Sequence, residues 1–415
     1  MKTTLIIALL ICFPFTFFFT EKQYVSPSHS SPSYSRPSAK PYEEPVKRAN
    51  PAQNFQFPAS GNFIMNIFND PDPIAGQLNT SENRANLDSI KIKSQNVSIV
   101  FWNVENLYDP YDDTTKLDDE YTTAGAKHWN YSKFSIKLNH IAKTLLAIGR
   151  WEAPAIIGLC EIENRYVLNK LIYETPLKSW KYKIIHHDSP DLRGVDVAML
   201  YRPDLFRVIS TRFIPIRFPF DTLSQTREIL MVKGAIFRGD SLVMFVNHWP
   251  SRRGGYLASQ PRRDWVASVL RGLVDSVQAG TGDANILIMG DFNDEPGCNS
   301  LENILSASRD TSVLDLKSLY NLMGINNLGH LDGTLKFRDQ WSTFDQFIVS
   351  GWLMAGLSGL KAGARNARVY KSTFLLEDDN TYFGKKLNRS YSGPRYHGGF
   401  SDHLPVVVEL SHTQR

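Results

Sequence analysis

Short runs of apolar, mostly β-branched residues recur along residues 94–411 and set the pattern of this part of the chain. Each run has the length of a buried strand and is bounded by polar or turn-forming residues. The runs are VSIVFW (97–102), AIIGLC (155–160), VDVAMLY (195–201), LVMFVN (242–247), NILIM (285–289), DQFIV (345–349) and LPVVVEL (404–410). The pattern predicts these seven strands within one folded domain.

Two stretches between these runs repeat apolar residues at helical spacing instead. The repeated positions are Phe134, Leu138, Ile141 and Leu145 in the first stretch, and Trp265, Val269, Leu273 and Val277 in the second. Ser259 and Pro261 precede the second series, as is typical of a helix N-terminus. Strands and helices therefore interleave around one large core, which periodicity alone allows to be either a sandwich of sheets or a parallel α/β sheet.

The first 93 residues have a different character. Lys2 is followed by the apolar run TTLIIALLICFPFTFFFT, which is short for a spanning helix of about 20 residues and is typical of a secretory signal. We expect a signal peptide or N-terminal anchor in residues 1–20. Residues 21–93 are rich in Ser and Pro at first and are predicted to be a disordered tether. The protein is expected to be exported, either secreted or tethered by this segment.

Composition narrows the class only slightly. The 415 residues are 42% hydrophobic and 21% charged, which is ordinary for a globular chain of one large or two smaller domains. A net charge of +4 from 46 basic and 42 acidic residues is too balanced to indicate nucleic acid. After residue 20 only Cys160 and Cys298 remain, which excludes a disulfide-dense scaffold and leaves one optional bridge.

Acids, amides and histidines stand at the ends of six predicted strands. They are Asn103, Glu105, Glu161, Glu163, Asn247, His248, Asp291 and Asn293 after strands, and Asp345, Asp402 and His403 at strand beginnings. Any one of them fits a turn, but turns do not require this set at six places. Oxygen ligands suit Mg²⁺ or Mn²⁺ rather than structural zinc, and Asn, His and Arg donate to phosphate oxygens. The set predicts metal-assisted phosphoester chemistry.

The motifs FWNVEN, LCEIEN, NHWPS, GDFND, TFDQFIVS and SDHLPV occur in this order over nearly all of residues 97–411. In this combination the chain resembles the endonuclease/exonuclease/phosphatase superfamily. The resemblance implies an α+β fold in which two packed, mostly antiparallel β-sheets form a deoxyribonuclease-like sandwich flanked by helices. It also implies a Mg²⁺-dependent phosphoesterase, with Mn²⁺ as an alternative, and an active site at one edge of the sandwich.

The same resemblance implies roles for the acids and amides. Asn103 and Glu161 would hold the principal metal, and Asp402 would lie beside it. Asp291 would orient or activate the attacking water, and Asn293 would hold that water or the phosphate oxygens.

Other residues would act on the phosphate. His248 and His403 would contact the scissile phosphate or assist the leaving group, with Asp345 as the partner of His403. Arg193 can reach a phosphate in such a site, whereas the role of Glu105 stays open, including a plain turn.

The substrate is predicted from local charge. Arg252 and Arg253 follow His248 in HWPSRRGG and are typical of a nucleic-acid contact, although a solubilising surface loop has the same composition. We expect a monomeric endonuclease acting on DNA or RNA, without an obligate protein partner. The alternatives are a phosphodiesterase or phosphatase for a lipid head group or soluble phosphoester, and a binding protein without catalysis. In the lipid alternative, the apolar residues 351–363 would contact membrane rather than pack in the core.

Overall fold

A computed structural model describes residues 96–236, 239–326 and 332–412. The predicted signal peptide or anchor (1–20) and tether (21–93) lie outside the described residues. Among the described helices, none combines the length and the apolar character that crossing a membrane requires.

The described residues form twenty strands, numbered here in chain order. The first ten are β1 (Asn96–Leu107), β2 (Ile156–Ile162), β3 (Lys183–His186), β4 (Asp196–Tyr201), β5 (Phe206–Ile214), β6 (Ile229–Ile236), β7 (Asp240–His248), β8 (Ile286–Asp291), β9 (Ala307–Ser308) and β10 (Leu319–Asn321). The others are β11 (Leu335–Phe337), β12 (Gln340–Ser342), β13 (Asp345–Ser350), β14 (Leu360–Lys361), β15 (Ala367–Val369), β16 (Leu376–Asp378), β17 (Lys385–Leu387), β18 (Tyr391–Ser392), β19 (Arg395–Tyr396) and β20 (Val406–His412).

Five α-helices accompany the strands: α1 (Tyr131–Ile148), α2 (Arg165–Tyr173), α3 (Tyr256–Thr281), α4 (Leu322–Ile325) and α5 (Gly351–Ala355). Asn130 caps α1 and Asn164 caps α2, each through its side-chain oxygen. The seven predicted strands and both predicted helices are confirmed.

Two seven-stranded sheets contain most of the strands. The first has the order β14-β20-β1-β2-β4-β3, with β15 also paired to β20, and the second has the order β5-β6-β7-β8-β13-β10-β9. The pairs β1–β2, β7–β8 and β9–β10 are parallel and all other pairs in these sheets are antiparallel. Three two-stranded ribbons, β11–β12, β16–β17 and β18–β19, complete the described sheets.

Alternation along the central strands builds three apolar layers. In β1, Ile99 and Phe101 pack between the two sheets, whereas Val100 and Trp102 face α1 and α2 on the outside. β8 in the second sheet alternates in the same way, and the residues on its outer face pack against α3. The sheets approach closely at Gly158, where a Cβ would lie 2.9 Å from the sulfur of Met289. The fold is the helix-flanked sandwich of two mostly antiparallel sheets that the resemblance implied.

Two open alternatives are decided by packing. Cys160 is buried and Cys298 is partly exposed, and both are free thiols, so the optional bridge is not formed. Within residues 351–363, Leu353, Leu360 and Ala362 are fully buried in the core between the sheets. These three residues anchor the segment to the core, whereas Leu357 between them is 52% exposed.

Candidate active site

The ends of the central strands bring the predicted side chains to one edge of the sandwich. In the first sheet, β1 and β2 run parallel, so Asn103 and Glu161 emerge at the same edge. His403 precedes β20, which pairs with β1 in the antiparallel sense, and therefore reaches that edge as well. The indole of Trp102 donates a hydrogen bond to the carbonyl of His403 at 2.9 Å and ties the two strands together.

The second sheet delivers its residues to the same place. His248 lies opposite Asp291 where β7 and β8 end in parallel, and Asp345 begins β13 opposite Asp291 from the antiparallel side. All three side chains are buried. The ends of four strands and the beginnings of two others thus converge on one edge.

The backbone at this edge departs from regular strand geometry. The register of β1 against β2 shifts after Asn103, and Glu105, Asn106 and Glu161 have φ of 55°, 52° and 61°. Positive φ is uncommon and costly for residues other than glycine, and it concentrates at functional sites. Two backbone amides in this region hold side chains of the site. The amide of Asn106 donates to Glu161 Oε2 at 2.8 Å, and that of Glu105 donates to Asn103 Oδ1 at 3.0 Å.

Asp291 lies at the centre of the group. Its Oδ2 accepts a hydrogen bond from Asn103 Nδ2 at 3.0 Å and lies 3.8 Å from His248 Nε2 and 3.9 Å from His403 Nε2. Burial raises the pKa of Asp291 to about 6, against the opposing charge of His403 and with help from Asp345. A carboxylate with this pKa suits a general base near neutral pH.

His403 is held in its charged form. Its Nδ1 donates to Asp345 Oδ2 at 2.6 Å. Burial alone would lower the pKa of His403, but the carboxylates of Asp345 and Asp291 raise it well above its ordinary value. His403 is therefore an imidazolium whose Nε2 faces Asp291.

His248, in contrast, is held in its neutral form. Burial and the positive charges of Arg227, Arg193 and His403 lower the pKa of His248 well below its ordinary value. Its Nε2 lies 4.0 Å from Glu161 Oε1, and its Nδ1 is buried without a hydrogen-bond partner among the described residues. The site thus combines one neutral and one charged histidine, as acid and base chemistry requires.

The donor set fits a hard divalent cation. Carboxylate oxygens of Glu161 and Asp291 lie 4.0 Å and 3.8 Å from His248 Nε2, Asn103 donates to Asp291 through its amide nitrogen, and Glu161 remains partly open to solvent. Oxygen atoms are the ligands that Mg²⁺ and Mn²⁺ prefer, and a nearby cation favours the charged form of a buried carboxyl group such as that of Asp291. Burial raises the pKa of the nearby Cys160 thiol well above its ordinary value, so a thiolate ligand is disfavoured.

Asp402 and Glu105 belong to an ion-pair cluster beside this centre. Asp402 pairs with Arg389 at 2.9 Å, and Arg389 also donates to Glu105 Oε1 at 3.1 Å. Glu105 is buried, accepts from the amide of Ser390 at 2.7 Å and lies 3.8 Å from Lys137 Nζ. Glu105 is therefore more than a turn residue, and the predicted place of Asp402 beside a metal stays a prediction.

Sequence reasoning missed Lys137 and Arg389. Lys137 had a visible signal, because it lies on the apolar face of α1 next to Phe134 and Leu138 and is itself buried. A lysine in an apolar stripe requires a buried partner, which is Glu105 here. Arg389 lies in a loop whose composition gives no comparable signal.

A second buried pair, also missed, supports the loops that follow β7 and β8. Arg227 donates to Asp191 Oδ2 at 2.9 Å and to the carbonyl of Trp249 at 2.6 Å. The side chain of Asn293 donates to the same carbonyl at 3.1 Å. Arg193 lies 3.4 Å from Asp191 through its Nε and is 41% exposed, so it remains open to a phosphate. The predicted contact of Asn293 with water or phosphate stays a prediction.

The two arginines after His248 differ. Arg252 donates to the carbonyl of Asn293 at 2.8 Å and to Asp294 Oδ1 at 3.1 Å, and its guanidinium lies over the rings of Tyr256 and Phe344. A phosphate contact by Arg252 would require it to exchange these partners and stays a prediction. Arg253 is exposed.

The sandwich, with carboxylates, an amide and two histidines at one edge, defines a metal-dependent phosphoesterase. Residues 98–412 match the Endonuclease/Exonuclease/phosphatase family, and the chain belongs to that family. No curated protein matches the chain significantly.

The solved structures that match the chain share little sequence with it. Humanized TDP2 from D. rerio with 14 mutations is 16% identical, covers 77% of this chain and 100% of its own, and gives a TM-score of 0.47. An endonuclease/exonuclease/phosphatase family protein from Bacteroides thetaiotaomicron is 16% identical, covers 77% and 99%, and gives 0.48. The human Nocturnin catalytic domain with bound sulfate is 15% identical, covers 77% and 95%, and gives 0.46.

Proposed function

We propose that the protein is a Mg²⁺-dependent endonuclease that hydrolyses phosphodiester bonds of DNA or RNA outside the cytoplasm. One observation carries the proposal: Asp291, with a pKa of about 6, lies within 4 Å of the ring nitrogens of both a neutral and a charged histidine. That arrangement places a proton acceptor and a proton donor next to each other, where one phosphate ester can contact both.

Each group has a defined task in hydrolysis. Asp291 accepts a proton from the attacking water, and Asn103 holds its carboxylate in place through the 3.0 Å hydrogen bond. The imidazolium of His403, fixed by Asp345, donates to the phosphate or leaving oxygen as negative charge develops. His248 is neutral and orients its Nε2 toward the same space.

A divalent cation bound by Asn103, Glu161 and Asp291 would neutralise charge on the phosphate oxygens. The closeness of two carboxylates supports this assignment, because oxygens of Glu161 and Asp291 lie 4.0 Å and 3.8 Å from the same atom, His248 Nε2.

The positively charged side chains near the site favour nucleic acid as the substrate. Arg253 is exposed in the loop that follows β7, and the partly exposed Arg193 lies close enough to Glu161 for the two charges to interact. The lipid alternative has weaker support, because Leu353, Leu360 and Ala362 of residues 351–363 are buried in the core, whereas Leu357 is 52% exposed. Export rests on the N-terminal sequence alone.

The test compares Mg²⁺-dependent turnover of plasmid DNA, RNA, sphingomyelin, an inositol polyphosphate and bis(p-nitrophenyl) phosphate. We expect cleavage of nucleic acid and of the small diester, lost in Asp291→Ala and retained in Asp275→Ala. Asp275 is a matched control because it is an exposed aspartate on α3, paired only at the surface with Arg271. Intact nucleic acid together with turnover of sphingomyelin or the inositol polyphosphate would overturn the choice of substrate.

Export is tested separately by expressing the chain with and without residues 1–20 in a secretion-competent host. We expect nuclease activity outside the cytoplasm only for the full chain. Equal activity in the cytosolic fraction for both chains would contradict the proposed location.

A further inference from the structure

The ribbons β11–β12 and β16–β17 border a cleft that begins at the catalytic edge. Leu335, at the start of β11, forms a β-bridge with His403, and Thr334 Oγ1 accepts a hydrogen bond from the amide of Asp345 at 3.1 Å. From there β11 leads away from the edge. The cavity between the two ribbons and the loop to Asp402 has a volume of about 230 Å³. We call it the ribbon cleft.

Most, but not all, of the positively charged side chains in the ribbon cleft are paired with an acidic side chain. Three of its cations are paired, in Lys336–Asp379, Lys386–Glu377 and Arg389–Asp402. The fourth, Arg338, is exposed and has no ion-pair partner within the described part of the chain, while its guanidinium lies over the ring of Phe337 at 5.4 Å. The cleft therefore carries one cation available to an anion from solvent, held by an aromatic ring that leaves its outer face open.

The rim of the ribbon cleft is aromatic. Phe337 is 69% exposed, Tyr382 is 37% exposed and Phe383 is fully exposed. Phe337 ends β11 and the other two lie in the turn of β16–β17, and Lys336 joins these places by donating to the carbonyl of Phe383 at 3.1 Å. Single exposed aromatic residues need no explanation, but three beside an unpaired arginine and a catalytic edge indicate a ligand surface.

We propose that the ribbon cleft binds the unpaired nucleotides that flank the scissile phosphate of a single-stranded nucleic acid. Arg338 contacts a backbone phosphate, and the rings of Phe337, Tyr382 and Phe383 stack on bases. This inference deepens the proposed function and rests on it. Unpaired bases suit the rim because stacking requires access to their faces, which a duplex does not offer, and stacking is tolerant of sequence.

The test compares a short single-stranded oligonucleotide with bis(p-nitrophenyl) phosphate as substrates. For Tyr382→Ala with Phe383→Ala, and for Arg338→Ala, the ratio of kcat/KM on the oligonucleotide to that on the small diester should fall about ten-fold. Arg338→Ala should also reduce the slope of log affinity against log salt by about 1. Matched controls are Tyr173→Ala, whose ring is 55% exposed at the far end of α2, and Lys178→Ala, also exposed, and both should keep the ratio.

Direct binding separates failure of the cleft from failure of the enzyme. Fluorescence anisotropy of the labelled oligonucleotide on Asp291→Asn protein should show affinity that the cleft substitutions weaken. Cleavage of nucleic acid by wild type with an unchanged ratio in the cleft variants would overturn the ribbon cleft and leave the endonuclease. Cleft-dependent binding without cleavage by wild type would overturn the endonuclease and leave the cleft. Equal affinity for duplex and single strand would refute the assignment to unpaired nucleotides.

Discussion

Replacing Asp291 by asparagine should make the metal-free protein more stable at neutral pH. Burial and the nearby charge of Asp345 raise the pKa of Asp291 from its ordinary 3.8 to about 6, although His403 opposes the shift. The wild-type protein must therefore bury a poorly compensated negative charge at pH 7. Asparagine has nearly the same shape and carries no charge.

The sign of the pH dependence follows from the direction of the shift. A carboxyl group whose folded-state pKa is raised favours folding at pH values below its unfolded pKa, and this contribution is lost as pH rises through the folded pKa. For Asp291 the loss occurs between about pH 4 and pH 6. The stability of Asp291→Asn minus that of wild type should rise across this window and level off above it.

The magnitude is set by two opposing contributions. A change in pKa from 3.8 to about 6 corresponds to about 3 kcal/mol, since one pKa unit is about 1.4 kcal/mol. The amide nitrogen of the new asparagine cannot accept the hydrogen bond that Asn103 donates to Oδ2, which costs about 1 kcal/mol. The net gain at pH 7 is about 2 kcal/mol, or roughly 3 °C in Tm for a domain of this size.

The assay is thermal unfolding of both proteins from pH 4.5 to 8 in EDTA and again in saturating Mg²⁺. In Mg²⁺ the order should reverse, because wild type gains binding energy that the variant lacks. Asp275→Asn changes an exposed aspartate and should show no comparable pH dependence. A difference between Asp291→Asn and wild type that is flat or falls with pH in EDTA would refute the electrostatic account of this site.

Three further predictions test neighbouring contacts. The acid limb of the activity–pH profile should have its midpoint near pH 6 at low Mg²⁺ and move to lower pH as Mg²⁺ is raised, because a cation favours the charged form of Asp291. His403→Gln should lower kcat on a small phosphodiester by about 10²-fold, since glutamine cannot donate a proton or carry the charge that Asp345 stabilises; single-turnover kinetics would measure this. Lys137→Met should destabilise the protein by about 2 kcal/mol in urea unfolding, because the buried carbonyl of Phe400 and hydroxyl of Ser390 lose their donor and Glu105 keeps only Arg389 as a nearby cation.

Strands with one continuous apolar run were predictable, and strands with mixed composition were not. The apolar run at the start of β8 predicted a buried strand, and every residue from Ile286 to Asp291 is indeed buried. β5 is just as long as β7, but only its two end residues are buried and Ser210 and Thr211 lie in its middle, so its sequence lacks a long apolar run. β5 and β6 pair with each other, and that long hairpin was missed entirely.

Pairing partners could not be read from periodicity at all. β1 pairs in parallel with β2 and in the antiparallel sense with β20, which is more than 300 residues away along the chain. An apolar run records burial on both faces but not which strand lies beside it. The choice between a sandwich and a parallel sheet therefore came from the resemblance.

The charge states of the two histidines show where residue identity stops being informative. His248 and His403 both stand at strand ends next to polar residues, and only the resemblance distinguished them, by giving His403 the partner Asp345. Their pKa values move in opposite directions because His403 faces Asp345 at 2.6 Å, whereas His248 is buried near Arg227 and Arg193. The distinction between acid and base at this site depends on loops that the strand pattern does not describe. Substituting Asp345 rather than either histidine is therefore the change that most directly removes the asymmetry, since it lowers the pKa of His403 toward that of His248.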